Sequence, residues 1–561
     1  MKMFAFILLA VSCLTSAQST TGPVVDLGSA GKYLGVVQNN GTVHSWKAIP
    51  YATPPVGSLR FKAPRPLAPQ NSTVQDKSQD FDGVITACVQ FGTTSFVGVN
   101  ASPGVEDCLK LWIWAPAGAK EGDNLAVQVY THGGGYQNSQ SPNNDFSDWV
   151  GQDKKFIAVN ANYRLGLLGF WNSQGSLNEG EDANVGLLDS RFAVEWVVKH
   201  ISKFGGNPHN IAISGQSGGG GAVMNQLVLY DGKGYSFQKA IPRSIQRSGN
   251  WKVADLTPRN DAFAKAVNCT DSAVTKAGAA KQLACMRAVS AETIRLAALN
   301  FSNATDSNGF PWPGWLPSVD GRSLTDQSVR LYRQGKIAKV PVIAGHVTDE
   351  IARLAPPNSN FTAIVNSAIG TKITPELRAR FEQIYPPATG LNYSYNTNTR
   401  QDFLHRQWGF SDENFARCSS LMVAQTYART KLPSYGFRFD APQPGYPAYE
   451  SATHSSDNTF LQNATSTFNA TEIVIAKEWR AYIASFLRHS NPNTEKLSTS
   501  PIWHQSSDEY RYAPQMVISM PIAASADLQA PTNSGMELRD IAEWDRCMFH
   551  LSEDVVEYSM Q

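Results

Sequence analysis

Charge is scarce in this chain, and what there is cancels. Asp, Glu, Lys and Arg make up 17% of the 561 residues, and 48 basic side chains stand against 47 acidic ones, a formal net charge of +1. The basic residues are scattered, so nothing draws the chain electrostatically to nucleic acid or anionic lipid, and a neutral small-molecule partner is expected. Long apolar runs are missing as well. None approaches the ~20 residues a membrane-spanning helix needs, which argues against a stable membrane anchor. There is no CxxC pair, no His/Cys spacing of the zinc kind and no Gly-Lys-Ser/Thr after a glycine run. Neither a metal, a phosphate-binding loop nor another cofactor is therefore expected.

What is there describes a folded globular protein, with 42% apolar and 10% aromatic residues. Met1-Lys2-Met3, the apolar residues 4–11 and Thr15-Ser16-Ala17 read as a signal peptide over residues 1–17, cleaved after Ala17. Cleavage removes Cys13 and leaves Cys88, Cys108, Cys269, Cys285, Cys418 and Cys547. An even number suits disulfides in an oxidising compartment, with the pairing left open at this level. Asn-x-Ser/Thr triplets at Asn40, Asn71, Asn100, Asn300, Asn360, Asn392, Asn463 and Asn469 are glycosylation acceptors in an exported chain. Oligomeric state leaves no mark in the sequence.

Residues 33–37 read as a strand. The Pro-rich stretch 49–57 reads as an extended surface connection, because its prolines exclude a helix or a central strand. Residues 109–115, 125–130 and 156–160 are dense in apolar and β-branched side chains between turn formers, as buried strands are. Helical spacing at 189–201 and 222–229 makes strands alternate with helices, which predicts an α/β fold around a mostly parallel sheet. Beyond about residue 255 helical pieces at 273–298 and 471–488 dominate, with no repeat or linker. One domain over residues 18–561, with helical insertions in its C-terminal half, is the expectation.

Two motifs carry chemistry. The strand 210–214 runs into Gly215-Gln216-Ser217-Gly218-Gly219 and then a helical segment, the setting of a nucleophile elbow. Such a turn strains the serine backbone, and side chains at the flanking positions would collide with neighbouring elements. Upstream, residues 127–130 lead into Thr131-His132-Gly133-Gly134-Gly135-Tyr136, a glycine run of the kind that supplies oxyanion-binding amides after a strand. Together they point to an ester hydrolase.

With these motifs in place, the chain resembles the type-B carboxylesterase/lipase family, the α/β-hydrolases that include the cholinesterases and many secreted fungal esterases. The resemblance rests on Ile49-Pro50-Tyr51-Ala52, Leu59-Arg60-Phe61, Glu106-Asp107-Cys108-Leu109, Asn162-Tyr163-Arg164, Asn184 to Asp189, Phe204-Gly205-Gly206-Asn207-Pro208 and the elbow. It implies an α/β-hydrolase fold with Ser217 as nucleophile. The family's acid falls at Glu350 in Gly345-His346-Val347-Thr348-Asp349-Glu350, although Ile351 stands where the family has glycine and Asp349 is the alternative acid. The histidine falls at His454 in Thr453-His454-Ser455-Ser456-Asp457.

The resemblance also implies oxyanion amides at Gly134, Gly135 and Gly218, with Ser248 as a hydrogen-bond donor beside the acid and histidine. At the elbow Gln216 replaces the usual Glu and Gly218 the usual Ala. Arg60 with Glu106 and Arg164 with Asp189 become structural ion pairs. The disulfides become Cys88–Cys108, Cys269–Cys285 and Cys418–Cys547.

Residues 88–108 hold no tryptophan of the kind that binds choline in cholinesterases, and this loop is short for a lipase lid. The aromatic stretch 310–315 suits an acyl pocket or the core equally. Two alternatives stand beside a short-chain esterase: a lipase or sterol esterase, and a non-catalytic binding protein on the same fold.

Overall fold

The computed structural model describes residues 22–76, 86–91, 103–139, 141–247, 251–271, 275–305, 315–351, 361–369, 373–386, 409–444, 452–508, 514–519, 534–538 and 541–558. The expected signal peptide lies outside them. Strands β1 (Val24–Asp26), β2 (Lys32–Leu34), β3 (Val36–Gln38), β4 (Val43–Pro50) and β5 (Val74–Asp76) come first. Then follow β6 (Lys110–Pro116), β7 (Leu125–Thr131), β8 (Phe156–Ala161), β9 (Gly206–Gln216) and β10 (Lys239–Arg243). The C-terminal half adds β11 (Val342–Val347), β12 (Ser434–Phe439), β13 (Pro514–Ile518) and β14 (Gly535–Leu538).

Eleven of these form one sheet in the order β14-β13-β12-β11-β10-β9-β7-β8-β6-β4-β3. From β8 to β13 every pairing is parallel, while β14, β6, β4 and β3 join antiparallel at the two sides. Alternate residues of the central strands enter separate cores on the two faces. Val127, Val129, Ile211 and Ile213 pack on one side, and Ala126, Tyr130 and Ala212 on the other.

Helices α1 (Val185–His200), α2 (Gly218–Gln226), α3 (Cys418–Arg429), α4 (Ser456–Gln462) and α5 (Ala470–His489) flank the sheet. Helix α5 shows why sequence dictates form. Asn469 and Glu472 make a reciprocal cap at its start, Arg488 and His489 occupy its last turn, and Val474, Glu478, Trp479, Tyr482, Ile483 and Phe486 bury one face. No helix among the described residues is long and apolar enough to cross a membrane.

Two local expectations are corrected. Residues 33–37 are not one strand: the chain breaks at Gly35, so β2 joins a small three-stranded sheet while β3 edges the large one. A Cβ at Gly35 would come within 2.8 Å of Trp46 Nε1, which is why glycine sits at the break. The Pro-rich stretch is extended but only partly superficial, with Val56 and Gly57 exposed. Pro50 ends β4, Tyr51, Ala52 and Pro55 are buried, and Tyr51 Oη donates to the Asn162 carbonyl at 2.7 Å.

The structure joins Cys88 to Cys108, Cys269 to Cys285 and Cys418 to Cys547. Arg60 forks onto Glu106 at 2.6 and 2.7 Å, and Arg164 onto Asp189 at 2.7 Å through both nitrogens. Asp189 is fully buried, with Arg164 as its counter-charge.

Candidate active site

The parallel strands deliver Ser217, Glu350, His454 and the glycine run to one edge of the sheet, beyond their C-terminal ends, where open α/β sheets bind ligands. The glycine run follows β7, Ser217 follows β9, Glu350 lies three residues past β11, and His454 stands in the segment between β12 and α4.

Ser217 sits at φ 61° and ψ −126°, a strained backbone held between β9 and α2. Close packing explains the flanking glycines. A Cβ at Gly215 would meet the Gly219 carbonyl oxygen at 2.3 Å, and one at Gly219 would meet the Thr131 carbonyl oxygen at 2.1 Å. The Ser217 amide donates to the Arg243 carbonyl, and the Ser217 carbonyl accepts from Gly221 and Gln246. Gly134 and Gly135 have φ of 92° and 63°, a region that favours glycine. Among the described residues the amides of Gly134, Gly135 and Gly218 donate to no protein acceptor. A Cβ at Gly218 would lie 2.9 Å from the Gly135 nitrogen, so the helix start and the glycine run converge on one point, and glycine there removes a tight contact.

Glu350 is buried and its Oε2 lies 2.5 Å from His454 Nδ1, while its Oε1 accepts from the Val347 amide at 3.0 Å. Burial alone would raise this carboxyl, but the hydrogen bond and charge of His454 hold it below the ordinary carboxylate range. Asp349, the preceding residue, is engaged through its backbone. Its amide donates to the Ala452 carbonyl and pairs the acid's loop with Thr453, fixing the histidine segment beside Glu350. Ile351 needs no glycine conformation, because its amide donates to Asp412 Oδ1 at 2.9 Å and its side chain is buried.

With Nδ1–H committed to Glu350, Nε2 of His454 is an acceptor. It lies 3.2 Å from Gln216 Nε2, and no hydrogen bond to Ser217 is formed in this state. Phe415 meets the imidazole edge-on at 5.2 Å. Ser217, His454, Gln216, Phe415, Gly134 and Gly135 share a cavity of about 210 Å³ with Tyr130, Gly133, Asn138, Ser139, Asn144, Ser455 and Asn458.

Sequence reasoning missed Phe415, Asn138 and Asn458. Phe415 rides on a π-helical turn, Glu413–Arg417, that carries no sequence signal. Asn138 follows the glycine run by three residues and was within reach of the motif. Behind His454, Asp457 and Arg243 form a buried ion pair at 2.5 Å.

Ser248 lies outside the described residues, as do Asn100, Asn360, Asn392, most of the loop 88–108 and residues 310–314. Trp315 belongs to the core, packed on Phe263 at 5.0 Å with its carbonyl accepting from Gln137. Glu413 lies beside Cys418 and Cys547, but those sulfurs are bonded to each other and offer no thiolate to a metal.

The chain belongs to the carboxylesterase family, whose model matches residues 22–524. It is similar to Lipase 1 of Geotrichum candidum, 32% identical over 57% of this chain and 62% of the lipase. It thus spans less than two thirds of that relative. The para-nitrobenzyl esterase of Bacillus subtilis is 28% identical over 85% of this chain and 92% of the esterase. The crystal structure of Aspergillus niger EstA superposes with a TM-score of 0.78 at 25% identity, covering 94% of this chain and 98% of that one. Several fungal relatives are named as secreted lipases.

Proposed function

We propose that the protein is a secreted serine esterase that works through an acyl-enzyme, with Ser217 as nucleophile, His454 as general base and then acid, and Glu350 holding the imidazole. The observation that carries this is the short Glu350–His454 hydrogen bond at the cavity that Ser217 enters on a strained elbow. Glu350 fixes the tautomer in which Nε2 is free of its proton and stabilises the imidazolium that forms when the serine attacks. The negative charge on the attacked carbonyl oxygen falls to the unpaired amides of Gly134, Gly135 and Gly218, a contribution of about 3 to 4 kcal/mol per donor in enzymes of this kind. His454 returns the proton to the leaving alcohol, and water then repeats the sequence on the acyl-serine.

Attack requires Nε2 to exchange the Gln216 amide for the serine hydroxyl, a short side-chain movement of the sort that substrate binding induces. Export of residues 18–561 as one domain after loss of residues 1–17, with glycans on some of the acceptor asparagines, completes the reading. Asn40, Asn71, Asn300, Asn463 and Asn469 are exposed, as a glycan requires. In Asn469 the carbonyl oxygen makes the helix cap and leaves the amide nitrogen available.

The test is hydrolysis of short nitrophenyl esters by the wild type and by Ser217→Ala. Loss of turnover to near background in a folded variant supports the reading, and full retention refutes it. An emulsified triglyceride in the same series decides between this esterase and a lipase.

A further inference from the structure

We infer that the cavity beside His454 takes the alcohol half of the ester and is built for a small hydroxylated alcohol, a polyol or sugar, rather than a long aliphatic one. The inference rests on the esterase reading above and adds the substrate class. His454 must hand its proton to the leaving oxygen, so the departing alcohol has to lie against Nε2. Nε2 is in contact with Gln216, which lines the cavity together with Phe415 and Ser455. The space next to the proton donor and this cavity are one and the same.

Beside the rings of Tyr130, Phe415 and His454, its side chains offer neutral hydrogen-bonding groups. Gln216, Asn138, Asn144, Asn458 and Ser455 line it, and among its described lining residues there is no carboxylate, no cation and no aliphatic side chain. Asn138 is only 6% exposed, yet its side-chain amide makes no hydrogen bond among the described residues. Gln216 is 3% exposed, and its Oε1 likewise accepts nothing from them. Both amides open onto the cavity, and an aliphatic alcohol would strip solvent from them without replacing its hydrogen bonds. Hydroxyl groups, which donate and accept, complete both.

Asn458 is held rigidly for such a role, since Oδ1 accepts from Tyr130 Oη and from Arg243 Nη2. With no carboxylate in the lining, a cationic alcohol has no ion-pair partner there. The volume of about 210 Å³ is below the roughly 300 to 1,000 Å³ of pockets that enclose drug-sized ligands, which suits a small polar group.

The experiment compares kcat/KM for acetate esters that share the acyl group and differ in the alcohol: p-nitrophenyl acetate, glyceryl monoacetate, an acetylated methyl glucoside and hexyl acetate below its solubility limit. The wild type is expected to prefer at least one hydroxylated ester over hexyl acetate by about tenfold or more. Asn138→Leu is expected to bring that ratio down by about tenfold. Should hexyl acetate match or exceed both hydroxylated esters while p-nitrophenyl acetate is turned over, the inference falls and the esterase reading stands. Absence of turnover on all four from folded wild type removes the esterase reading and this inference together. The wild-type ratio decides the matter even if the variant does not fold.

Discussion

Nε2 of His454 lies 3.2 Å from the side-chain nitrogen of Gln216, the residue directly before the proposed nucleophile. The nitrogen that would take the serine proton is thus occupied by a neighbour on the same turn. Neutral imidazole has one acceptor nitrogen, so the Gln216 amide must leave Nε2 before the ring takes the serine proton.

Replacing Gln216 by glutamate tests that contact. A carboxylate there favours the protonated ring, which removes the base at low pH, so the acid limb of kcat/KM should move to higher pH by about one unit or more. Facing groups already include Glu350 on Nδ1 and Asp457, the latter paired with Arg243. Gln216→Met, which lacks the amide and cannot compete for Nε2, should leave the acid limb near its wild-type position. A pH–rate series on both variants gives the answer.

Glu350→Gln should lower kcat by about 10³ to 10⁴, because an amide cannot hold the required tautomer. Asp349→Asn should leave most of the activity, since Asp349 acts through its backbone pairing. The opposite ranking in a steady-state assay would move the acid by one residue.

The same carboxyl is linked to stability. Glu350 is held below its unfolded value, so ionisation favours the folded state above about pH 4.3, and the benefit is lost as pH falls through the folded value. The melting temperature of Glu350→Gln should therefore lie below wild type near neutrality and approach it under acid conditions. Calorimetry across that range checks the sign.

Behind the histidine, Arg243 and Asp457 are at most 1% exposed. Asp457→Asn would leave the guanidinium buried without its counter-charge, at a cost of about 3 to 5 kcal/mol. Denaturant unfolding measures it, and a loss under 1 kcal/mol would contradict this view of the pair.

Disulfide loops set a further order. Cys418 and Cys547 are 129 positions apart and Cys269 and Cys285 only 16. Loop-closure entropy assigns about 5 kcal/mol to the first and about 3 to the second. Replacing each pair by serine should lower the melting temperature more for Cys418 and Cys547.

Much of the site was legible because backbone constraints leave marks in sequence. The elbow needs small residues around Ser217, and Gly134 and Gly135 of the glycine run lie at positive φ, so both motifs point to their positions. Strands β6, β7 and β8 announce themselves by runs dense in apolar and β-branched residues. What could not be read depends on packing between distant segments. The Gln216–His454 contact joins residues 238 positions apart, and its existence depends on how the loops after β9 and β12 meet. Phe415 reaches the cavity through a π-helical turn that no periodicity predicts. The burial of Tyr51 reflects a hydrogen bond to Asn162 across the fold, which its neighbouring prolines, read locally, disguised as surface.

The central claim is that Ser217 is the acylated nucleophile, and covalent labelling tests it most directly. Treatment of the purified protein with a phosphonate ester, followed by intact-mass analysis and peptide mapping, should give one adduct on Ser217 that forms in step with loss of nitrophenyl ester hydrolysis. Inactivation with the adduct on another residue, or continued turnover with Ser217 fully labelled, would contradict the account.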